Sequence, residues 1–109
     1  FALLEKAIEK APDSGAVIDS LGWAQYQLGR YGEAALNLEK AASMEPSDPT
    51  ITDHLGDAYW RLDRRIEARY QWRRALELDS AGEQKALLEG KIADGLKTAP
   101  EQKATDLRE

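Results

Sequence analysis

The sequence contains no cysteine and only one histidine. Without cysteine the chain has no disulfide, no thiolate nucleophile and no cysteine-ligated zinc site. The lone His54 has no second imidazole to join it in a catalytic pair. The glycines form neither a P-loop nor a dinucleotide-binding fingerprint. These absences argue against the common classes of enzyme, and we predict a non-enzymatic protein without a cofactor or a metal.

Basic residues and long apolar runs are also scarce. The chain has 15 Lys and Arg against 20 Asp and Glu, which gives a net charge of −5. An acidic chain suits a phosphate backbone poorly, so we expect no nucleic-acid partner. No stretch approaches the roughly 20 apolar residues that a membrane-spanning helix needs. No basic-then-apolar signal segment is present either.

What the sequence does contain is a repeat with a period of 34 residues. The dipeptide Leu21-Gly22 returns as Leu55-Gly56. Further matches at this spacing are Ala34 with Ala68, Pro12 with Pro46, the series Ala7, Ala41 and Ala75, and the series Lys6, Lys40 and Arg74. A fixed period of this size predicts an array of stacked helical units.

The spacing of apolar residues divides the chain into alternating helices and turns. It predicts helices over about 16–28, 32–44, 51–62 and 65–78, and then a last helix with Leu88, Ile92 and Leu96 on one face and polar residues, Lys91 among them, on the other. Ser14 is placed to cap the first of these helices. Asp48 followed by Pro49 is a strong start signal for the third. Residues 80–83 have the form of a capping box that opens the last helix.

Small residues recur where two helices of a pair come closest. Gly22 and Gly56 lie on the first helix of each pair, and the second helices carry Ala34, Ala41, Ala68 and Ala75. One pair cannot bury its apolar faces alone, so neighbouring pairs must cover each other. The sequence therefore predicts an all-α array of antiparallel helix hairpins.

The recurring residues resemble the tetratricopeptide repeat. The first copy carries Leu21-Gly22, Tyr26, Gly29 to Ala34, Lys40-Ala41 and Pro46, and the second carries Leu55-Gly56, Ala58-Tyr59, Glu67-Ala68, Arg74-Ala75 and Leu78. The period of ~34 residues agrees with that family. There are departures from its pattern. Gln25 stands in place of an aromatic residue, Asp63 in place of the turn Gly, Arg65 in place of the turn Tyr and Ser80 in place of the terminal Pro.

The resemblance implies a right-handed superhelix of hairpins closed by a C-terminal capping helix. It divides the chain into the second helix of a partial repeat at 1–14, full repeats at 15–48 and 49–82, a capping helix at 83–97 and a disordered tail at 98–109. Because Phe1 lies inside a repeat, we expect the chain to be part of a longer protein. The stretches 19–23 and 53–57 resemble the C-terminal end of long bacterial proteins of this family, some of them envelope-associated. That leaves the bacterial cytoplasm and the cell envelope both open as the location.

In such stacks the first helix of each hairpin lines a concave groove, and its outward-facing residues are the candidate partner-binding site. They are Asp19, Trp23, Tyr26, Asp53, His54, Asp57, Trp60 and Arg61. Most are three or four residues apart, so each set shares one helical face. Aromatic rings beside carboxylates suit a peptide with apolar anchors and basic residues. The alternative for Trp23 and Trp60 is burial against neighbouring repeats.

A basic stripe formed by Arg65, Arg69 and Arg73 is a second candidate surface. Its four-residue spacing puts the three guanidinium groups on one side of a helix. The stripe suits an acidic partner, a lipid headgroup or nucleic acid. Alternatively, the arginines pair with acidic residues of a neighbouring helix or form a solvated face.

The resemblance implies a protein-interaction module, such as a scaffold or adaptor, that binds a peptide or partner segment in its groove. One subclass of the family grips acidic C-terminal tails with Lys, Arg and Asn on these faces. Asp19, Asp53 and Asp57 stand there instead, which argues against a receptor of that kind.

Two further hypotheses remain open from the sequence. The repeats could serve only as a structural spacer, or as an oligomerisation segment through the N-terminal half repeat, whose Leu3, Leu4 and Ile8 lack a partner helix. The other hypothesis is a metal enzyme with Asp53, His54 and Asp57 as ligands. We expect His54 to be a packed or groove-facing residue in an acidic setting instead.

Overall fold

The computed structural model describes Leu3, Lys6 and residues 14–97. Residues 14–97 form five α-helices and no strand. The helices are α1 (Gly15–Gln27), α2 (Tyr31–Met44), α3 (Pro49–Arg61), α4 (Arg65–Leu78) and α5 (Lys85–Asp94). None of the described helices is both long and apolar enough to span a bilayer. The predicted all-α stack of hairpins is confirmed, whereas most of the partial repeat at 1–14 and all of the tail at 98–109 lie outside the described residues.

Two predicted helix starts are confirmed by their hydrogen bonds. The Ser14 hydroxyl accepts from the backbone N–H of Val17 at 3.2 Å and so caps α1. The Asp48 carboxylate accepts from the N–H of Thr50 at 2.8 Å and of Ile51 at 3.2 Å, and thereby caps α3. These bonds satisfy backbone donors that have no partner within the first turn of a helix.

The predicted capping box at residues 80–83 is wrong. The chain turns through Gly82, whose φ is +73°, and the Asp79 carboxylate accepts from the N–H of Gln84 at 2.8 Å. Because that turn takes up the residues between α4 and α5, the last helix begins only at Lys85 and its start has no side-chain cap. The preceding Asp, and not Ser80, supplies the acceptor.

The two hairpin turns have the same geometry although their sequences differ. Gly29 has a φ of +80° after α1, and Asp63, one period later, has a φ of +62° after α3. In the first turn the N–H of Arg30 donates to the carbonyl of Gln25 at 2.9 Å, and in the second Arg64 N–H donates to Tyr59 O at the same distance. Aspartate is one of the few non-glycine residues that tolerate this region. The departure from glycine at position 63 therefore leaves the turn intact.

Glycines at the predicted positions allow the helices of each hairpin to approach closely. A Cβ atom on Gly22 would lie 2.9 Å from Leu38 Cγ, and one on Gly56 would lie 2.5 Å from Trp72 Nε1. Both partner side chains are fully buried, so neither can move away freely. Glycine is thus required by packing at both positions.

Within residues 14–97 the core consists of two buried clusters, and each of them contains residues from both hairpins. One buried cluster, from α2 to α5, consists of Ala34, Ala35, Leu38, Leu55, Ala58, Tyr59, Ala68, Trp72, Ala75 and Leu88. A smaller one joins Ile18, Ala41 and Ile51 of the first three helices. Leu28, the last residue of the predicted helix over 16–28, is 63% exposed because α1 ends at Gln27 and Leu28 enters the turn.

Candidate functional site

The predicted groove residues fall into two clusters, one at each junction between successive first helices. The α1–α3 junction comprises Asp19, Trp23, Tyr26, His54 and Arg61. The α3–α5 junction comprises Asp53, Asp57, Trp60 and Lys91, with Gly95 just beyond α5. The two junctions differ in chemistry and in burial, so they are described separately.

Three stacked rings form the centre of the α1–α3 junction. The imidazole of His54 stacks on the Trp23 indole, with ring centroids 3.9 Å apart and planes 15° apart. Trp23 in turn stacks on Tyr26 at 4.6 Å and 5°. The helical spacing of Trp23 and Tyr26 places both rings on one face of α1, and α3 supplies the third ring. Such offset or parallel contacts add to the stabilisation from buried area alone.

Hydrogen bonds hold both ends of this stack. His54 Nδ1 lies 2.9 Å from Asp19 Oδ1, and since an ionised carboxylate only accepts, the imidazole donates. At the other end Arg61 Nε donates to the Tyr26 hydroxyl oxygen at 3.2 Å. Burial raises the pKa of Tyr26, although the Arg61 hydrogen bond opposes the shift, and the phenol therefore stays neutral. The ring positions are thus fixed before any partner arrives.

The α1–α3 junction is only partly buried. Asp19, Trp23, Tyr26, His54 and Arg61 all have intermediate exposure. Trp23 packs against α3 of the next hairpin but is not fully buried. It brings together five of the eight predicted groove residues on one accessible face.

The α3–α5 junction is centred on Lys91, which the sequence analysis placed on the polar outer face of the last helix. Lys91 Nζ lies 2.8 Å from Asp53 Oδ1 and 3.0 Å from Asp57 Oδ1. Opposite charges that are removed from water in this way need each other and additional hydrogen bonds. The ammonium group of α5 thereby neutralises part of the predicted acidic groove.

Asp57 does not face away from the partner helix as we predicted. Its side chain is buried, and its carboxylate accepts a hydrogen bond from Trp72 Nε1 of α4 at 3.0 Å. The indole approaches this closely because residue 56 is glycine, and its buried N–H needs an acceptor. Burial, together with the charge of Asp53, raises the pKa of Asp57 to about 6, against the opposing effect of Lys91.

Trp60 is packed at the far edge of the same junction. Its ring is tilted against Trp72 with centroids 5.6 Å apart. Gly95, with a φ of +73°, lies against the other part of the indole, where any Cβ would overlap the ring. Arg65 and Arg69 lie over the ring at 4.8 and 5.1 Å from its centroid.

Two arginines of the basic stripe, Arg65 and Arg69, therefore contact other groups of the protein. Arg65 also pairs with Asp63 at 3.1 Å, and Arg69 Nε donates to the carbonyl of Ile92 at 2.9 Å. Only Arg73 of the three is exposed without a side-chain contact in the described part of the chain. The stripe as a ligand surface stays a prediction, with two of its three guanidinium groups already engaged within the protein.

The side chains of Asp53, His54 and Asp57 do not converge on one point, as the ligands of a metal site must. His54 reaches toward Asp19, whereas both aspartates reach toward Lys91. No group of three or more His, Cys, Asp or Glu residues is arranged to hold a metal ion within the described ranges. The three side chains serve two different junctions instead.

Lys91 is the main site residue that sequence reasoning missed. It lies one period of 34 residues after Asp57, as Asp57 does after Trp23. That spacing could have identified α5 as a further helix in register with α1 and α3. Tyr31 was missed as well; its ring extends the aromatic cluster at 5.3 Å from Tyr26.

Comparison with family models matches residues 18–48 to the tetratricopeptide repeat. The matched segment contains nearly all of the α1–α2 hairpin and ends at the residue that caps α3. The second hairpin repeats its turn geometry and its glycine contact. No curated protein matches the chain.

Proposed function

We propose that the chain is a tetratricopeptide-repeat protein, since residues 18–48 match the model of that repeat, and that it is a non-enzymatic protein-interaction module whose binding site is the α1–α3 junction. A partner segment would lie along the concave side of the stack, across α1 and α3. We propose further that the module acts as a scaffold or adaptor within a larger protein. No arrangement at either junction offers a nucleophile with an adjacent base.

One observation carries the proposal: the aromatic stack of Trp23, Tyr26 and His54 is held by hydrogen bonds at both ends and is still partly exposed. Aromatic side chains provide large contact areas in protein interfaces, and preorganised ones lose little entropy on binding. Asp19 and Arg61 hold the stack at its ends, so its shape does not depend on a partner. These are the properties expected of an anchor site.

The second half of the predicted groove supports binding less well. Lys91 occupies the space beside Asp53 and Asp57, and Gly95 covers part of Trp60. A partner would have to displace α5 to reach these side chains, at the cost of the ion pair between Lys91 and the buried Asp57. The proposed site is therefore the N-terminal half of the groove, and not all eight residues predicted from the sequence.

Selection from a library of random peptides displayed on phage tests the proposal. We expect the wild-type module to enrich a recognisable set of peptides, and Trp23→Ala to lose them. Tyr70→Ala is the matched control, because Tyr70 is an aromatic residue that is 60% exposed on α4, outside the junction.

Urea unfolding confirms beforehand that both variants are folded. If Trp23→Ala retains every enriched peptide, the junction is not the binding site. If no peptide is enriched by the wild type, the module is better described as a structural spacer or an oligomerisation segment.

A further inference from the structure

The charges in the groove point to a partner of a different kind from the one that the sequence of the groove residues predicts. Resting on the proposed function, we infer that the α1–α3 junction recognises a segment carrying an acidic side chain beside an aromatic or aliphatic one, with Arg61 receiving the carboxylate. The sequence, by contrast, favoured a partner with basic residues.

All three groove carboxylates are already in contact with a group of the protein that donates to them. Asp19 accepts from His54 at 2.9 Å. Asp53 and Asp57 share the ammonium group of Lys91 at 2.8 and 3.0 Å. A lysine or arginine from a partner would have to compete with these contacts, so the acidic residues offer little to a basic segment.

Arg61 is in the opposite situation. Its described contact is the hydrogen bond from Nε to the neutral Tyr26 hydroxyl at 3.2 Å, and no carboxylate lies within ion-pair distance of it among residues 14–97. The two terminal nitrogens of the guanidinium group therefore keep their N–H donors available. Guanidinium groups bind carboxylates in a two-point geometry that is stronger than a neutral hydrogen bond.

The neighbouring rings determine the rest of the motif. Tyr26, which contacts Arg61 directly, stacks on Trp23 and is flanked by Tyr31. An apolar side chain next to the acidic one can lie against these rings while the carboxylate reaches Arg61. The junction thus combines one unpaired cation with an aromatic surface, and charge complementarity selects the acidic, apolar pair.

The overall charge argues that the partner is a short acidic segment and not a polyanion. The chain carries a net charge of −5, and Asp19 lies at the far end of the same stack. A nucleic acid or an anionic membrane would face repulsion from these charges over a wide area. A single carboxylate directed at Arg61 avoids that repulsion.

The peptide selection described above also tests this inference through the composition of the enriched peptides. We expect Asp or Glu adjacent to Trp, Tyr, Phe or Leu. One enriched peptide is then synthesised together with its Glu→Gln form, and both are measured by calorimetry against wild type and Arg61→Gln. Loss of a hydrogen bond between charged groups should weaken binding about tenfold or more, either in the Gln peptide or in the variant protein.

Arg73→Gln is the matched control, because it removes an exposed guanidinium from α4 without touching the junction. Binding by Arg73→Gln should equal that of wild type. Enrichment of Lys- or Arg-containing peptides that still depend on Trp23 would overturn the inference and leave the proposed site standing. Equal binding of the Glu and Gln peptides would overturn it too, whereas enrichment that is independent of Trp23 would remove both proposals.

Discussion

The two junctions occupy equivalent places in the stack but consist of different kinds of side chain. At the α1–α3 junction, partly exposed aromatic rings stack between a His–Asp pair and an Arg–Tyr hydrogen bond. At the α3–α5 junction, a lysine of intermediate exposure is paired with two aspartates, of which Asp57 is buried. Trp23, Asp57 and Lys91 follow each other at intervals of one period, so the same position supplies an indole, a carboxylate and an ammonium group.

The difference shows which part of the repeat is constrained. Gly22 and Gly56 both make the close contact inside their hairpins, and that requirement repeats with the hairpin. The contact between one hairpin and the next has no such fixed chemistry. A junction can therefore be closed for stability or left accessible for binding without altering the hairpins.

The largest expected effect is at the α3–α5 junction. Replacing Lys91 with Met should lower the free energy of unfolding by about 3 kcal/mol, because it leaves Asp53 and Asp57 together without a counter-charge. Urea unfolding followed by circular dichroism measures the change. Lys85→Met is the control, since Lys85 is exposed at the start of the same helix and should change stability little. Equal losses in both variants would mean that the ion pair at Lys91 contributes nothing specific.

A smaller effect follows from the raised pKa of Asp57. Its folded-state pKa of about 6 lies above the reference value of 3.8, so the folded protein binds this proton more tightly than the unfolded chain. The contribution of Asp57 to the free energy of unfolding therefore increases as the pH falls through about 6, and this gain is lost as the pH rises again. Between pH 7 and pH 5 we expect a gain of about 1 kcal/mol relative to Asp57→Asn.

Unfolding of both proteins at a series of pH values isolates the contribution of Asp57, because the other titrating groups are common to the pair. Parallel stability curves for wild type and Asp57→Asn would contradict the assignment. If the stability of wild type relative to Asp57→Asn increased toward high pH, folding would lower the pKa of Asp57 and not raise it.

The smallest effect belongs to the accessible junction. Tyr26→Phe keeps the stack on Trp23 and removes the hydroxyl that accepts from Arg61, so we expect a loss of about 0.5 to 1 kcal/mol in unfolding free energy. Tyr70→Phe, at an exposed position on α4, should cause no measurable loss. A Tyr26→Phe loss as large as that of Lys91→Met would abolish the distinction between the junctions.

The hairpins could be predicted from the sequence because their determinants are local and periodic. Leu-Gly pairs, alanines, Asp48 with Pro49 and the turn at Asp63 each act within one repeat, so the two copies of the repeat are enough to predict them. The junction contacts could not be predicted in this way. Asp57 looked like a groove residue because it is in register with Trp23, but Trp72 replaces Leu38 on the partner helix and brings an N–H that needs an acceptor.

Lys91 and Ser80 illustrate two other limits. The side chain of Lys91 meets its partners only when α5 packs against the stack. In the sequence its neighbours are polar, and that pattern predicts a polar helix face. The predicted capping box at Ser80 is wrong because the chain turns through Gly82 and the last helix begins only at Lys85, with Asp79 accepting from the N–H of Gln84.

The contact among Gly56, Trp72 and Asp57 has a consequence for modular exchange. The indole of Trp72 has space only because residue 56 has no side chain, and its N–H donates to the carboxylate of Asp57. That carboxylate in turn is paired with Lys91 from the following helix. Copying the first hairpin into the place of the second would bring Leu38 and Trp23 to these positions and leave the ammonium group of α5 without Asp57. The two hairpins share one architecture, yet the first cannot replace the second without losing these contacts.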